Sequence, residues 1–321
     1  MRVLVTGGGG FVGQWLAKAL LARGDAVDLA GLGEPVQSGV LTGGEWAGVR
    51  WLPLDVRDDR AVDAVVERSC PELVIHLAAV SFPPEADRSP TMTFDVNVLG
   101  TVRLLSAIVR RRTAGTLDPV VLIIGSAAQY GRHDPAAMPL DESAEQRPVN
   151  IYAASKAAQE TVALQVQRAT GLRVICTRSF NHSGVGQAPE YLLPSLVART
   201  ARIARGQDRV LTLGNDVVRD YLHVSDVVRA YLLLGSHGTP GAVYNVASGE
   251  PVSVRQLAAD VLLRANVNAE ISTDPALARS TDIPVLVGSP RRLMGDTGWA
   301  PLKTYGDIID DLYHSAHAAT D

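Results

Sequence analysis

Tyr152 and Lys156 stand four residues apart in Asn150-Ile151-Tyr152-Ala153-Ala154-Ser155-Lys156. On a helix, positions i and i+4 share one face. An ammonium beside a phenol favours the ionised phenol and draws a group of ordinary pKa about 10 towards neutral pH. Such a pair can pass a proton to or from an alcohol or ketone oxygen. A solvated helix face gives the same spacing, so the setting decides. Ser126 ends an apolar run 26 residues upstream, and a glycine-rich turn, Thr6-Gly7-Gly8-Gly9-Gly10-Phe11-Val12-Gly13, opens the chain.

Gly7, Gly10 and Gly13 form G-x-x-G-x-x-G between a strand and a helix that begins at Phe11 and Val12. Glycine permits a tight turn, close approach of a pyrophosphate to the backbone, and a helix N-terminus aimed at the anion. Asp55 and Val56 follow the third strand, where Asp55 can meet adenine edges or cap the next helix. His76-Leu77-Ala78-Ala79 ends the fourth strand, and its small residues leave room for a cofactor; His76 alone reads as a core histidine. Asn97 falls within a helix, where asparagine is disfavoured, and serves either to order that helix or a water chain, or merely as an exposed amide. An NAD site places an acid at the end of the second strand. That strand ends at Ala30-Gly31, with Glu34 three residues on. The cofactor is therefore NADP(H) or NAD(H), leaning slightly to NADP.

These residues need a frame. Apolar runs at Arg2–Thr6, Ala26–Ala30, Val49–Leu54, Leu73–Leu77, Val120–Ser126 and Arg173–Thr177 alternate with helical periodicity at Val12–Arg23, Arg60–Arg68, Thr91–Arg111 and Asn150–Thr170. Alternation of this kind predicts an α/β fold, a doubly wound parallel sheet of the Rossmann type covered on both faces. Gly31–Gly44 reads as a mobile loop. Past residue 180, prolines and glycines break the chain into a smaller mixed α/β lobe over the sheet's C-terminal edge, where ligands of such folds bind. The dinucleotide-binding domain is expected over 1–178 with a returning segment within about 225–266, and the substrate lobe over 179–224 and 267–321.

The 321 residues are 46% hydrophobic and 20% charged, with a net charge of −4. No basic stripe marks a nucleic-acid partner; Arg110, Arg111 and Arg112 suit a helix C-terminus. Two cysteines cannot frame disulfides. No run of 18 apolar residues predicts a membrane span, no metal-ligand spacing occurs among the seven histidines, and a cytoplasmic enzyme is the expectation.

Together the turn, His76–Ala79, Asn97–Thr101, Gly125-Ser126, Tyr152/Lys156 and Arg219-Asp220-Tyr221-Leu222-His223-Val224-Ser225-Asp226 resemble the nucleotide-sugar branch of the extended short-chain dehydrogenase/reductase family. That resemblance spans nearly the whole chain in order. It implies a nicotinamide cofactor, a nucleoside-diphosphate sugar, and Ser126, Tyr152 and Lys156 as the catalytic set, with Tyr152 and Lys156 also touching the cofactor. Members that eliminate water place Asp-Glu directly after the Ser/Thr; here Ala127 and Ala128 stand instead, and alanine transfers no proton. Neither Cys70 nor Cys176 sits where a 3,5-epimerase would need a base. Hydride transfer at C4 remains, either as reduction or as 4-epimerisation.

The run Arg178-Ser179-Phe180-Asn181-His182-Ser183-Gly184-Val185-Gly186-Gln187 is similar to the corresponding loop of reductases acting on GDP-4-keto-6-deoxy-mannose, as are Gly214-Asn215, Arg219-Asp220, Arg279…Asp282-Ile283-Pro284 and Gly298-Trp299-Ala300-Pro301. By that likeness Asn181 and Arg219 meet the substrate diphosphate. Arg279 either joins them or pairs with Asp282, and Arg219 has the alternative of pairing with Asp220. His182 either positions the sugar or completes a buried hydrogen-bond set. The resemblance also implies a homodimer built on helices Thr91–Arg112 and Asn150–Thr170. A non-enzymatic dinucleotide sensor would have dispensed with one of Ser126, Tyr152 or Lys156.

Overall fold

The computed structural model describes residues 1–35, 38–277 and 282–318, the side chains of 317 and 318 excepted. Strands β1 (Arg2–Thr6), β2 (Ala26–Gly31), β3 (Val49–Pro53), β4 (Leu73–His76), β5 (Val120–Ser126) and β6 (Arg173–Ser179) fall where the apolar runs predict. Val243–Val246 adds a seventh, and the sheet order is Val243–Val246, β6, β5, β4, β1, β2, β3, with all pairings parallel. Both faces are covered: Val3, Val5, Leu122 and Ile175 point into one apolar cluster, and Leu4, Val74, Ile123 and Val174 into the other. The chain therefore has the Rossmann-like α/β architecture.

Strand register brings the chemistry to one edge. Thr6 lies opposite His76, His76 opposite Ile123, and Ser126 opposite Ser179. Helix Ile151–Thr170 packs along β5 and β6, with Asn150 Oδ1 accepting from Ala153 N at 2.8 Å as its N-cap and Gly171 in the left-handed conformation at its end. The helical stretch Pro90–Thr113 is long and apolar enough, by length and composition, to cross a membrane. Its inward residues Leu104, Leu105, Ala107 and Ile108 are instead packed on the sheet. The last turn carries Arg110, Arg111 and Arg112, with Asp63 and Asp118 as partners.

The chain after β6 divides between two cores. Helix Val224–His237 packs on helix Phe11–Ala22, and Leu293 and Trp299 also belong to the sheet's core. Helix Val254–Arg264, by contrast, joins Leu196, Leu211, Ile308 and Ile309 in a separate apolar cluster. Position in the chain alone did not separate these, because both sets of helices carry the same apolar periodicity.

The described residues between Gly31 and Gly43 form no helix or strand, as expected of a loop, but apolar anchors pin them. Val40 and Leu41 are buried at 4% and 5% exposure, and Lys18 Nζ donates to Val40 O at 3.1 Å. Thr42 and Glu45 form a reciprocal cap on the short helix Gly43–Ala47. The turn-rich composition concealed those two apolar anchors.

Between the cores, strand Val218–His223 is tied down by one carboxylate. Asp220, fully buried, accepts from Ser248 N at 2.8 Å, Ser248 Oγ at 2.7 Å, Gly249 N at 2.9 Å and Gly288 N at 3.3 Å. Stranding those donors in Asp220→Ala should lower stability by roughly 2–4 kcal/mol. Urea unfolding checks this, and an unchanged midpoint would contradict it.

Candidate active site

The glycine turn leaves no room for side chains. Gly7 has φ +70°, and a Cβ there would lie 2.7 Å from Ala78 N; one on Gly13 would lie 2.5 Å from Gly8 O. Gly10 is the N-cap of helix Phe11–Ala22, with no side-chain cap and no acid in the first turn. The N–H groups of that first turn, at Phe11, Val12 and Gly13, thus present an uncapped positive helix end. This fits a pyrophosphate. At the end of β2, the indole of Trp51 closes under the turn: its edge would be 3.1 Å from a Cβ on Gly9 and 3.0 Å from one on Gly31, and Nε1 donates to Gly33 O at 3.0 Å.

Asp55 does not cap the following helix; Asp58 does. Asp55 accepts instead from Arg57 Nη2 at 2.6 Å and Arg57 N at 2.9 Å, and the Arg57 guanidinium holds its carboxyl below the usual range. Val56 is buried against Gly100, where a Cβ would come within 2.8 Å. Leu77, Ala78 and Ala79 leave β4 beside Gly7. Asn97 is neither exposed nor in regular helix. It lies in a π-turn, Asp95–Leu99, fully buried. Its Oδ1 accepts from Val80 N at 2.8 Å, while Nδ2 donates to Val80 O at 3.1 Å and Ser155 Oγ at 2.9 Å. Asn97 thereby clamps the segment after β4 to the helix of Tyr152 and Lys156. A π-turn re-aims one side chain out of the helical register.

His76 is a core histidine. Burial lowers its pKa to about 3, so it stays neutral between Thr6 Oγ1 at 2.6 Å and Thr101 Oγ1 at 2.9 Å.

Ser126 ends β5, with its Oγ accepting from Ala128 N at 3.2 Å and its N–H donating to Gln129 Oε1 at 2.8 Å. The Tyr152 phenol is pushed up by burial, drawn down by a hydrogen bond with Ser126, and pushed up again by the Tyr191 phenol. The lysine amine is seated by neutral acceptors. Lys156, 3% exposed, donates to Ile124 O at 2.8 Å and Gln159 Oε1 at 2.9 Å, and burial lowers its pKa to about 7. Without its ligands, the site therefore holds a protonated phenol and a weakly basic amine.

The lobe closes over this edge. Asn181 and Tyr221 are register partners in parallel strands, the Asn181 side chain draws the buried Tyr221 phenol's pKa down, and Arg219 shares Tyr221's face of its strand. Arg219 does not pair with Asp220. Its Nη1 donates to Val218 O at 2.8 Å and Ile283 O at 2.6 Å, and burial lowers its pKa. Among the described residues, the carboxylate whose charge bears on it is Asp282. His182 turns to the cofactor turn: its ring stacks on Phe11 with centroids 6.4 Å apart, and Nδ1 meets Phe180 O at 2.9 Å. Arg279 lies outside the described residues.

Two neighbours escape sequence reasoning. Tyr191, from the lobe, packs edge-on to Phe82 and reaches Ser81 Oγ at 3.5 Å. Gln159 joins Lys156 to Thr101. Gln159 lay three residues past Lys156 on the same face, a readable signal; Tyr191 gave none, because only the fold brings the lobe across.

A profile of the GDP-mannose 4,6 dehydratase family matches residues 4–312. The chain is 39% identical over 305 residues to GDP-6-deoxy-D-mannose reductase of Pseudomonas aeruginosa, covering 94% of this chain and 92% of that one. Among solved structures it is similar to RMD from Pseudomonas aeruginosa complexed with NADPH, at 34% identity and TM-score 0.83, covering 99% and 100%. It is also similar to Thermus thermophilus UDP-glucose 4-epimerase in complex with NAD, at 30% identity and TM-score 0.85, covering 99% of this chain and all of that one.

A lysine whose folded pKa is about 7 against an ordinary 10.5 binds fewer protons folded than unfolded between those values. Stability contributed at this site should therefore rise with pH above about 7, and the burial penalty is fully felt below it. Relative to Lys156→Met, the wild type should gain up to about 1.4 kcal/mol per pH unit from pH 7 to 9. Urea unfolding of both proteins across that range is the measurement; a constant difference would refute the reading.

Proposed function

We propose, from the premise that this chain belongs to the GDP-mannose 4,6 dehydratase family within the extended short-chain dehydrogenases/reductases, that it is an NAD(P)H-dependent reductase of a nucleotide-linked 4-keto-6-deoxy sugar. GDP-4-keto-6-deoxy-D-mannose is the foremost substrate, giving a GDP-D-rhamnose-type product. One observation carries this: the Ser126 hydroxyl bears on the Tyr152 phenol at the sheet edge, drawing its pKa down, while the next two positions are Ala127 and Ala128. The proton set for a carbonyl is present, and the acid–base pair for elimination is not.

A bound nicotinamide supplies hydride for C4. Tyr152, held protonated by burial, is the acid that gives its proton to the oxygen formed there. Ser126 Oγ, already fixed by Ala128 N, donates to the same oxygen. Protonated Lys156 has two N–H groups committed, to Ile124 O and Gln159; the third is left for the phenol or the cofactor ribose. Gly7, Gly10, Phe11, Val12 and Gly13 receive the cofactor pyrophosphate, Val56 and Asp55 the adenine end, and Leu77, Ala78 and Ala79 line its path. Asn181 and Arg219 take the substrate diphosphate, whose oxygens a planar guanidinium suits. Arg279 stands as a further candidate there, and His182, stacked on Phe11, faces the junction of the two ligands. With no acid at the end of β2, NADPH is the preferred form, in keeping with the NADPH complex of the P. aeruginosa relative. The likeness to a UDP-glucose 4-epimerase with NAD supports 4-epimerisation as the second reading. Two unpaired cysteines, Cys70 and Cys176, accord with a cytoplasmic enzyme.

The same reading makes the protein a homodimer through helices Pro90–Thr113 and Ile151–Thr170. Met92, Phe94 and Leu99 are 40%, 37% and 48% exposed on the first of these, and a second copy would cover them. Phe94→Asp should halve the mass seen by light scattering, whereas an unchanged mass would place any interface elsewhere.

Tyr152→Phe should bind NADPH almost as the wild type does and lose at least about a hundredfold in kcat. A panel of GDP-, dTDP-, UDP- and CDP-linked 4-keto sugars, followed by cofactor absorbance, tests the substrate. Stoichiometric NADPH oxidation with the GDP-linked sugar supports reduction; NAD that co-purifies, with no net oxidation, would point to epimerisation.

A further inference from the structure

Gln159 is fully buried on the face of helix Ile151–Thr170 that carries Lys156. Its Oε1 accepts from Lys156 Nζ at 2.9 Å and its Nε2 donates to Thr101 Oγ1 at 2.8 Å. The hydrogen-bond inventory fixes that orientation. Thr101 has one hydroxyl proton, which goes to Asn97 O at 2.8 Å, so towards Gln159 and His76 it can only accept. Flipping the amide would set Oε1 against an acceptor and an NH₂ against the lysine amine. By the same count His76 carries its proton on Nε2, donating to Thr101 at 2.9 Å, and its Nδ1 accepts from Thr6 Oγ1 at 2.6 Å. Each donor is used once in a chain running from the last residue of β1, beside the glycine turn, to the lysine amine.

The two acceptors that hold Lys156, the Ile124 carbonyl and the Gln159 amide, are both uncharged. The titratable group that bears on the amine is His76 from β4, while Tyr152 stands one turn earlier on the same helix. Glu160, the next residue after Gln159, is committed to Arg178 at 2.7 Å and 2.9 Å. The β5 side presents Ile124 O, and the Thr101 hydroxyl of the Pro90–Thr113 stretch reaches the amine only through Gln159.

We propose that Gln159 is a positioning residue for proton transfer: its neutral carboxamide seats the Lys156 amine against β5 without a counter-charge, leaving the amine's charge and remaining N–H directed at Tyr152 and the ligands. The inference rests on the reductase reading for what Lys156 does, but not for where it is held.

The chain has three lysines, Lys18, Lys156 and Lys303, so ¹³C-lysine labelling resolves the Lys156 Cε resonance, assigned by its loss in Lys156→Met. The titration is run on cofactor-free protein from pH 5 to 10. Gln159→Glu sets a carboxylate on the amine and should raise the Lys156 midpoint by at least about one pH unit; Gln159→Met removes the acceptor and should lower it by about half a unit. Both should cut kcat at least about fivefold with KM for the sugar changed less than twofold. A filler of the core would lose stability in both variants without moving the lysine in opposite directions. Midpoints within about 0.3 units of wild type in every variant that folds would overturn the proposal. Should Gln159→Glu not fold, Gln159→Met alone decides by the sign of its shift. If midpoints move as expected but no 4-keto sugar is reduced by the wild type, the reductase reading falls and the positioning role stands.

Discussion

The inner face of helix Ile151–Thr170 is polar, and each group on it is satisfied by a different part of the fold. Ser155 meets Asn97, Lys156 the Ile124 carbonyl, Gln159 Thr101, and Glu160 Arg178 and Gln129. An unsatisfied polar group in such an interior costs on the order of 1–3 kcal/mol. The helix therefore cannot slide or rotate against β5 without stranding several donors at once. Tyr152 rides on this helix and Ser126 on β5, so the distance between the two groups that would share a substrate oxygen is set by contacts made elsewhere.

The buried Arg178–Glu160 pair shows how that works on the β5 side. Its geometry is bidentate, with side chains 6% and 5% exposed. Desolvation offsets much of the attraction in such a pair, so net stability is a poor account of its presence. Its effect is on register. Glu160 Oε2 accepts from Gln129 Nε2 at 3.0 Å, and Gln129 Oε1 accepts from Ser126 N at 2.8 Å. Gly125 completes the fit, because a Cβ there would fall 2.3 Å from Thr177 O. Ser126 is thus anchored through its backbone, and its hydroxyl is left for Ala128 N and Tyr152.

What could be read from the sequence follows the range of the interactions. Apolar runs and glycine spacing are local signals, and β1 to β6, the glycine turn and the Tyr152–Lys156 helix stand where they point. Roles that depend on a partner distant in the chain were ambiguous. Asn97 sits 58 residues from Ser155, and nothing local signals a π-turn. Asp55 and Asp58 both looked able to cap a helix, and only the backbone path chose Asp58. Arg219 beside Asp220 suggested a pair, yet successive strand residues point to opposite faces, and Asp220 turns to Ser248 and Gly288 while Arg219 turns to Ile283. His182 is drawn to Phe11 by a strand pairing, Asn181–Ser183 with Tyr221–His223, that no periodicity foretells.

The electrostatics also bear on the direction of chemistry. A tyrosine serving as base must lose its proton before the sugar is oxidised, and would profit from a lowered pKa. Here burial and the nearby Tyr191 phenol both oppose ionisation, and the Ser126 hydrogen bond is the one contact that favours it. The lysine that could favour it further is held by neutral acceptors and weakened by burial. Its effect on the phenol then depends on whether it is protonated, and near neutral pH that balance is close. Reduction asks the phenol to arrive protonated and the amine to steady the charge left behind as the proton departs. A site that keeps its acid protonated, and its cation without a counter-ion, meets both conditions before any ligand enters.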